Sequence, residues 1–233
     1  GINYFDTAWM YHSGNSEIVM GKILSAYPRE SYFLASKFPG FSPDTLSDPA
    51  KIFERQLEKC QTEDFDFYLL HNVYEKSLET YLDPKLGILD YFREQKRLGR
   101  IKHLGFSTHA QLSTLEKILD VIGDDMEFCQ IQLNYLDWTL QDAKAKYDLL
   151  TERGIPVWVM EPVRGGKLAN LAESEAAKLT ALRPNESVPA WAFRFLQDLP
   201  NVCVTLSGMS NTDHVEDNLR TYSTHAPLSD AEK

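Results

Sequence analysis

The sequence predicts an α/β chain of parallel βα units, and within that class a barrel, on three observations. Short runs of β-branched, aromatic and other apolar residues alternate with helical patterns of ten residues or more, as parallel strands joined by crossover helices require. Three successive runs close on or beside titratable side chains: Ile2–Phe5 leads into Asp6 and Tyr11, Tyr32–Phe38 carries Lys37, and Phe65–Leu70 leads into His71. Those are the carboxyl ends of strands, where the loops of a parallel barrel build an active site. No Gly-x-Gly-x-x-Gly follows the first strand, as an open dinucleotide-binding sheet would favour. Periodicity alone allows the doubly wound alternative equally well.

The elements follow in order. Ile2–Phe5 reads as a buried strand, and Ser13 to Leu24 as a helix with a Ser or Asn cap and an apolar stripe at Ile18, Val19, Ile23 and Leu24. Tyr32–Phe38 is the second strand, Pro39 to Asp44 a turn, and Asp44 to Cys60 a helix with Ile52, Leu57 and Cys60 on one side. Phe65–His71 is the third strand. After a polar loop, Lys85 to Leu98 is helical and stops at Gly99. Arg100–Ser107, Met126–Tyr135, Ile155–Met160 and Val202–Leu206 are the remaining strands, and Gln111–Ile122, Leu140–Glu152, Glu173–Leu182, Val188–Leu196 and Thr212–Thr221 the remaining helices. Seven strands fall one short of a TIM (β/α)8 barrel. The chain opens at Gly1 directly inside a strand pattern, so the first strand and a C-terminal segment are expected to lie outside it, with residues 1–233 as part of one barrel domain.

Bulk properties bound the function. A composition of 43% hydrophobic and 25% charged residues is that of an ordinary globular domain. A net charge of −10 with no basic run argues against a nucleic-acid partner. Cys60, Cys129 and Cys203 are far apart and odd in number, which suggests no disulfide framework or local metal motif and fits a reducing, cytoplasmic setting. No apolar run is long enough for a membrane span.

Asp6, Tyr11, Lys37 and His71 form a set that can reduce a carbonyl. Hydride delivery to carbon needs an acid that protonates the oxygen as charge develops there. Tyr11 can be that acid if a neighbouring positive charge favours its phenolate. Lys37 can supply the charge, Asp6 can hold the ammonium, and His71 can orient the carbonyl or relay the proton.

The motifs F-D-T-A-x-x-Y, G-N-S-E, G-K-I-L, A-S-K-F, L-L-H-N, I-K-H-L-G-F-S, Q-L-N-Y, E-P-V-R-G-G-K-L and S-G-M-S-N-T-D-H-V-E-D-N resemble those of the aldo-keto reductases, in that family's order, from Gly1 to about Tyr222. The resemblance implies a (β/α)8 barrel, NADP(H) or NAD(H) as cofactor, a small carbonyl substrate, and Asp6, Tyr11, Lys37 and His71 as the catalytic tetrad. It implies carboxamide-binding roles for Ser107, Thr108 and Gln132, with Thr108 standing where the family usually has Asn. Met160 occupies the position of an aromatic that stacks on the nicotinamide, and Pro162, Arg164, Gly165 and Gly166 belong to the loop over the pyrophosphate, whose glycines let backbone come close.

The run from Ser207 resembles the adenosine-phosphate site, at a strand end followed by a helix N-terminus. There the resemblance implies cofactor contacts from Ser207, Gly208, Met209, Ser210, His214, Asp217 and Asn218. Gly208 and His214 replace the usual Lys and Arg, which leaves the choice between NADP and NAD open. Trp9, Tyr135 and Trp138 are either substrate-pocket walls or core. E-P-V-R-G-G and G-M-S-N resemble a bacterial subgroup whose longer members carry a ferredoxin-like iron–sulfur tail, so a tail or redox partner is expected only of a longer chain. The competing expectations are a non-catalytic nucleotide-binding relative on the same barrel, and a Schiff-base or metal-dependent barrel enzyme. The sequence offers no convergent His and carboxylate set for a metal.

Overall fold

The computed structural model describes residues 1–41 and 48–233. It divides into two compact units, Ile2–Gln130 and Ile131–Lys233.

In the first unit, strands β1 (Tyr4–Asp6), β2 (Phe33–Phe38), β3 (Phe65–Leu70) and β4 (Ile101–Thr108) pair in parallel, each with the next. The register sets Asp6 beside Ala35, Lys37 beside Leu69 and Leu70 beside Phe106, so one end of the sheet carries Asp6, Lys37, His71, Ser107 and Thr108. β2 is buried on both faces, as parallel strands covered by helices are. Its period of two puts Ala35 and Lys37 on one face. Ser36 and Phe38 on the other meet Glu17 and the rings of Tyr81 and Phe92.

Helix α1 (Ser16–Leu24) departs from the sequence expectation. Its buried residues are Glu17, Gly21 and Leu24, while Ile18, Val19 and Ile23 of the expected apolar stripe are 45%, 51% and 53% exposed. The reason is backbone proximity. A Cβ on Gly21 would lie 2.3 Å from the carbonyl oxygen of Lys59, so α1 is seated by its glycine against the end of α2 (Pro49–Cys60), and the turn that contains Gly21 has to face inward.

α2 is capped by Asp48, which accepts from the Lys51 amide, has Pro49 in its first turn, and buries Ile52, Phe53, Gln56, Leu57 and Cys60. The part of the expected turn and helix start that falls on Ser42 to Ser47, Asp44 included, lies outside the described residues. The polar loop after His71 contains a short helix, α3 (Leu78–Leu82). A separate α4 (Ile88–Arg97) begins after Gly87, whose positive φ keeps the two from merging. α5 (Leu112–Ile122) buries Thr114, Leu115, Ile118, Leu119 and Ile122.

β5 (Cys129–Gln132) is shorter than the predicted run, because Asn134 starts a turn into α6 (Asp137–Leu140). In the second unit, a left-handed Asp142 separates α6 from α7 (Ala143–Glu152). β6 (Val157–Met160) pairs in parallel with β7 (Val202–Thr205). Between them lie α8 (Glu173–Leu182) and α9 (Val188–Gln197), the latter capped by Ser187 and buried from Ala190 to Leu196. α10 (Thr212–Tyr222) is capped by Asn211. Among the described residues no helix is long and apolar enough to cross a membrane.

Candidate active site

In the first unit, the ends of β1, β2 and β3 bring the four predicted catalytic residues together. Lys37 is fully buried. Its ammonium donates to Asp6 Oδ1 at 2.5 Å and to the carbonyl oxygen of Thr7 at 2.9 Å, and lies 4.9 Å from the centre of the Tyr11 ring. The His71 ring meets Tyr11 edge to face at 5.8 Å and Phe41 at 5.2 Å. Burial raises the Asp6 carboxyl above its usual range, opposed by the charge and hydrogen bond of Lys37. Burial, helped by the charges of Lys37 and His109, lowers the His71 imidazole to about 3, so it is neutral at ordinary pH. Its Nδ1 is buried with no hydrogen-bond partner among the described residues.

The loops are held from below. Thr7 Oγ1 donates to Ser16 Oγ at 2.8 Å, the Thr7 amide donates to Ala35, and the Tyr11 amide donates to Ala8. His12 and Ser13, directly after Tyr11, and Asn72, directly after His71, have φ of 52°, 56° and 53°. Non-glycine residues in that region mark backbone held by its surroundings, here immediately beside the two aromatic side chains of the site. The Asn72 amide donates to Ser107 Oγ at 2.9 Å, so Ser107 supports the His71 loop. Thr108 Oγ1 donates to the Val73 carbonyl at 2.7 Å and accepts from the Ala110 amide, so its single proton is used within the protein.

Behind Lys37 lies a network that motif reading leaves unassigned. Fully buried Glu17 accepts at Oε1 from Ser36 Oγ and Gln56 Nε2, both at 2.6 Å, and pairs at Oε2 with Lys59 at 3.2 Å. Gln56 also donates to the Lys37 carbonyl at 3.0 Å and accepts from Tyr68. Lys59 sits 3.8 Å over the ring of Trp9, which places that tryptophan on the loop scaffold. G-N-S-E carries the signal for Glu17, but only packing shows that its carboxylate points inward.

In the second unit, Gln132 Nε2 donates to Asp137 Oδ2 at 2.7 Å, Asn134 Nδ2 donates to the same oxygen at 2.7 Å and to the Glu161 carbonyl at 2.9 Å, and Arg164 Nε lies 3.1 Å from Asp137 Oδ1. Asp137 and Asn134 are fully buried. Met160 ends β6, half-buried. Pro162 is buried, and Glu161, Arg164, Gly165 and Gly166 all have positive φ in a run of tight turns. Tyr135 and Trp138 pack edge-on against Phe195, at 6.4 and 5.3 Å, which assigns part of each to the core.

Beyond β7, Ser207 Oγ accepts from Asn218 Nδ2 at 2.9 Å, joining two of the predicted phosphate-loop residues. Asn211 accepts from the His214 amide, and its Nδ2 lies 3.3 Å from His214 Nε2. Asp217 is engaged by Ser187 Oγ at 2.6 Å and by Arg220. Gly208, Ser210 and His214 are exposed, and Met209 is half-buried. Cys60, Cys129 and Cys203 are free thiols. Among the described residues no group of three His, Cys, Asp or Glu could hold a metal.

Comparison with known proteins identifies the family and the fold class. The sequence model of the Aldo/keto reductase family matches residues 1–232. A probable aldo-keto reductase 1 of Glycine max is 27% identical over 71% of this chain and 47% of its own length. The L-galactose dehydrogenase of Arabidopsis thaliana is 25% identical over 94% of this chain and 73% of its own length. The chain thus spans about half of the soybean protein. An aldo-keto reductase from Klebsiella pneumoniae, solved in complex with NADPH, superposes with a TM-score of 0.76 over 100% of this chain and 78% of its own, at 20% identity. The likeness covers all seven strands, so the fold class is the α/β TIM-barrel type that the strand ends predict.

Proposed function

The chain belongs to the aldo/keto reductase family, and on that premise we propose that it reduces an aldehyde or ketone to the alcohol with NADPH or NADH, Tyr11 being the general acid. The observation that carries the reading is the buried Lys37 ammonium, pinned by Asp6 and the Thr7 carbonyl and lying 4.9 Å from the centre of the Tyr11 ring.

The nucleotide supplies hydride to the carbonyl carbon when bound. Tyr11 gives its phenolic proton to the carbonyl oxygen. The Lys37 ammonium stands beside the ring as that proton leaves, and Tyr11 regains a proton from solvent. Asp6 holds Lys37 in place, and neutral His71 offers a ring nitrogen to the carbonyl oxygen without competing as an acid. Gln132 offers an amide suited to a carboxamide; in the first unit Ser107 offers a hydroxyl, whereas Thr108 has its proton committed to the Val73 carbonyl. The tight glycine turns after Met160 and the loop before α10 suit phosphate groups, with Asn218 and Ser207 already joined. NADPH in the Klebsiella relative supports a nicotinamide cofactor without selecting between NADPH and NADH here. Trp9 lies on the Tyr11 loop with its ring packed under Lys59. Residues 1–233 are read as part of one barrel domain, in a reducing cytoplasmic setting.

The test uses the full-length protein. Protein fluorescence during titration with NADPH and with NADH reports binding, and absorbance of the reduced cofactor after addition of aromatic aldehydes and ketones reports turnover. Tyr11→Phe is expected to lower turnover by about 10²–10⁴-fold, the usual worth of a positioned acid, with nucleotide affinity nearly unchanged. An active Tyr11→Phe protein removes the acid assignment. Binding without carbonyl-dependent oxidation supports a non-catalytic relative instead.

A further inference from the structure

We propose that Asp137 is a positioning residue that fixes which way the Gln132 amide faces. The inference rests on the cofactor reading above and deepens it.

A glutamine amide presents an NH2 donor on one side and a carbonyl acceptor on the other, and a half turn about its last bond exchanges them. A carboxylate removes that freedom because it only accepts. Asp137 Oδ2 lies 2.7 Å from Gln132 Nε2, so the NH2 is held toward Asp137. Oε1 is left as the free acceptor of Gln132, without a hydrogen-bond partner among the described residues. Asp137 is itself locked in place. It is fully buried, it accepts a second hydrogen bond from Asn134 Nδ2 at 2.7 Å, and its other oxygen lies 3.1 Å from Arg164 Nε. Asn134 in turn donates to the Glu161 carbonyl, and its own Oδ1 accepts from the Leu136 and Asp137 amides. Turning the Asp137 carboxylate away breaks the two hydrogen bonds at Oδ2, whereas Oδ1 meets Arg164 as an ion pair without a hydrogen bond of its own.

The consequence concerns ligand chemistry. A group that meets Gln132 must donate to it. A primary carboxamide does so through its NH2, whereas a methyl ketone of the same shape has no proton to give. The Arg164 contact adds a second role: the loop of tight turns after Met160 is tied to the same carboxylate that sets Gln132, so loop position and amide orientation depend on one side chain.

The experiment measures binding to the full-length protein by fluorescence, with reduced NADH or NADPH and with the matching reduced 3-acetylpyridine nucleotide, whose methyl replaces the carboxamide NH2. The unmodified protein is expected to prefer the parent nucleotide by about tenfold, the worth of one net hydrogen bond. Gln132→Met is expected to erase that preference. Asp137→Asn, which keeps the shape but lets the amide turn, is expected to reduce it to about twofold or less. Asp137→Leu, which keeps buried volume and removes the acceptor, gives the same result if the asparagine variant does not fold. Persistence of the full preference in a folded Asp137 variant overturns the proposal while leaving the cofactor reading intact. Binding of both nucleotides without preference in the unmodified protein also overturns it, and failure to bind either nucleotide removes the cofactor reading and the proposal with it.

Discussion

Replacing Lys37 with Met tests the electrostatic centre of the site. The substitution keeps a long apolar side chain in a fully buried position but leaves Asp6, whose side chain is 14% exposed, without its counter-charge. Removing one member of a buried pair costs about 3–5 kcal/mol when the remaining charge has to stay. Asp6 can escape by taking a proton. At pH 7 that costs at most about 1.36 kcal/mol for each of the roughly three pH units above the ordinary carboxyl value, or about 4 kcal/mol. The expected penalty at pH 7 is therefore about 3–4 kcal/mol.

The sign of the pH dependence follows. Burial already raises the folded-state Asp6 carboxyl, and loss of Lys37 removes the influences that lower it. In the variant the folded chain thus holds its proton above the pH at which the unfolded chain releases it. Stability is fully present below the unfolded value and is lost as pH rises through the folded one. Urea unfolding of full-length Lys37→Met should show a penalty that shrinks to well under half on going from pH 7 to pH 4. An Asp6→Asn/Lys37→Met double variant should recover most of it at pH 7. A penalty independent of pH, or a double variant no more stable than Lys37→Met, would refute the account of Asp6 and Lys37 as one coupled pair.

Two further outcomes are expected. Gly21→Ala, a change that normally gains about 1 kcal/mol in a helix, should here lose about 1–2 kcal/mol net, because the added methyl meets the backbone of Lys59 and Cys60; thermal unfolding followed by circular dichroism should fall by about 2–8 °C, and a rise would contradict the close approach of α1 and α2. His71 remains neutral in the folded chain down to about 3 while the unfolded imidazole protonates near 6.5, so its contribution is present above about pH 6.5 and is lost as pH falls toward 3. His71→Gln should flatten the loss of stability between pH 6 and pH 4 in urea titrations, and an unchanged slope would show that His71 is not held neutral.

Much of the site could be read from the chain itself, because its parts lie at strand ends that local pattern announces. Asp6 and Lys37 stand at the ends of β1 and β2, His71 follows β3 directly, and parallel register alone sets them side by side. Asn211 before α10 and Asp48 before Pro49 are capping signals that hold locally whatever surrounds them. These features depend on neighbours a few residues away, and such neighbours are visible in sequence.

The tertiary structure decided whatever depends on which face of an element meets another. Ile18, Val19 and Ile23 have the spacing of a buried stripe, yet Gly21 can approach the α2 backbone where they cannot, and so Glu17 goes inward with it. Once inside, the Glu17 carboxylate requires partners, and Ser36, Gln56 and Lys59 provide them from 19 to 42 residues away. Asp137 is a mixed case: Gln132 and Asn134 lie five and three residues before it, but only packing buries its carboxylate and brings Arg164 to its second oxygen. Thr108 illustrates the converse, since its hydroxyl fits a ligand by position but is taken by Val73, 35 residues earlier. Local periodicity determines where strands end and which chemistry stands there, whereas the cost of burying an unpaired polar group, payable only in three dimensions, determines which of those side chains are free to use it.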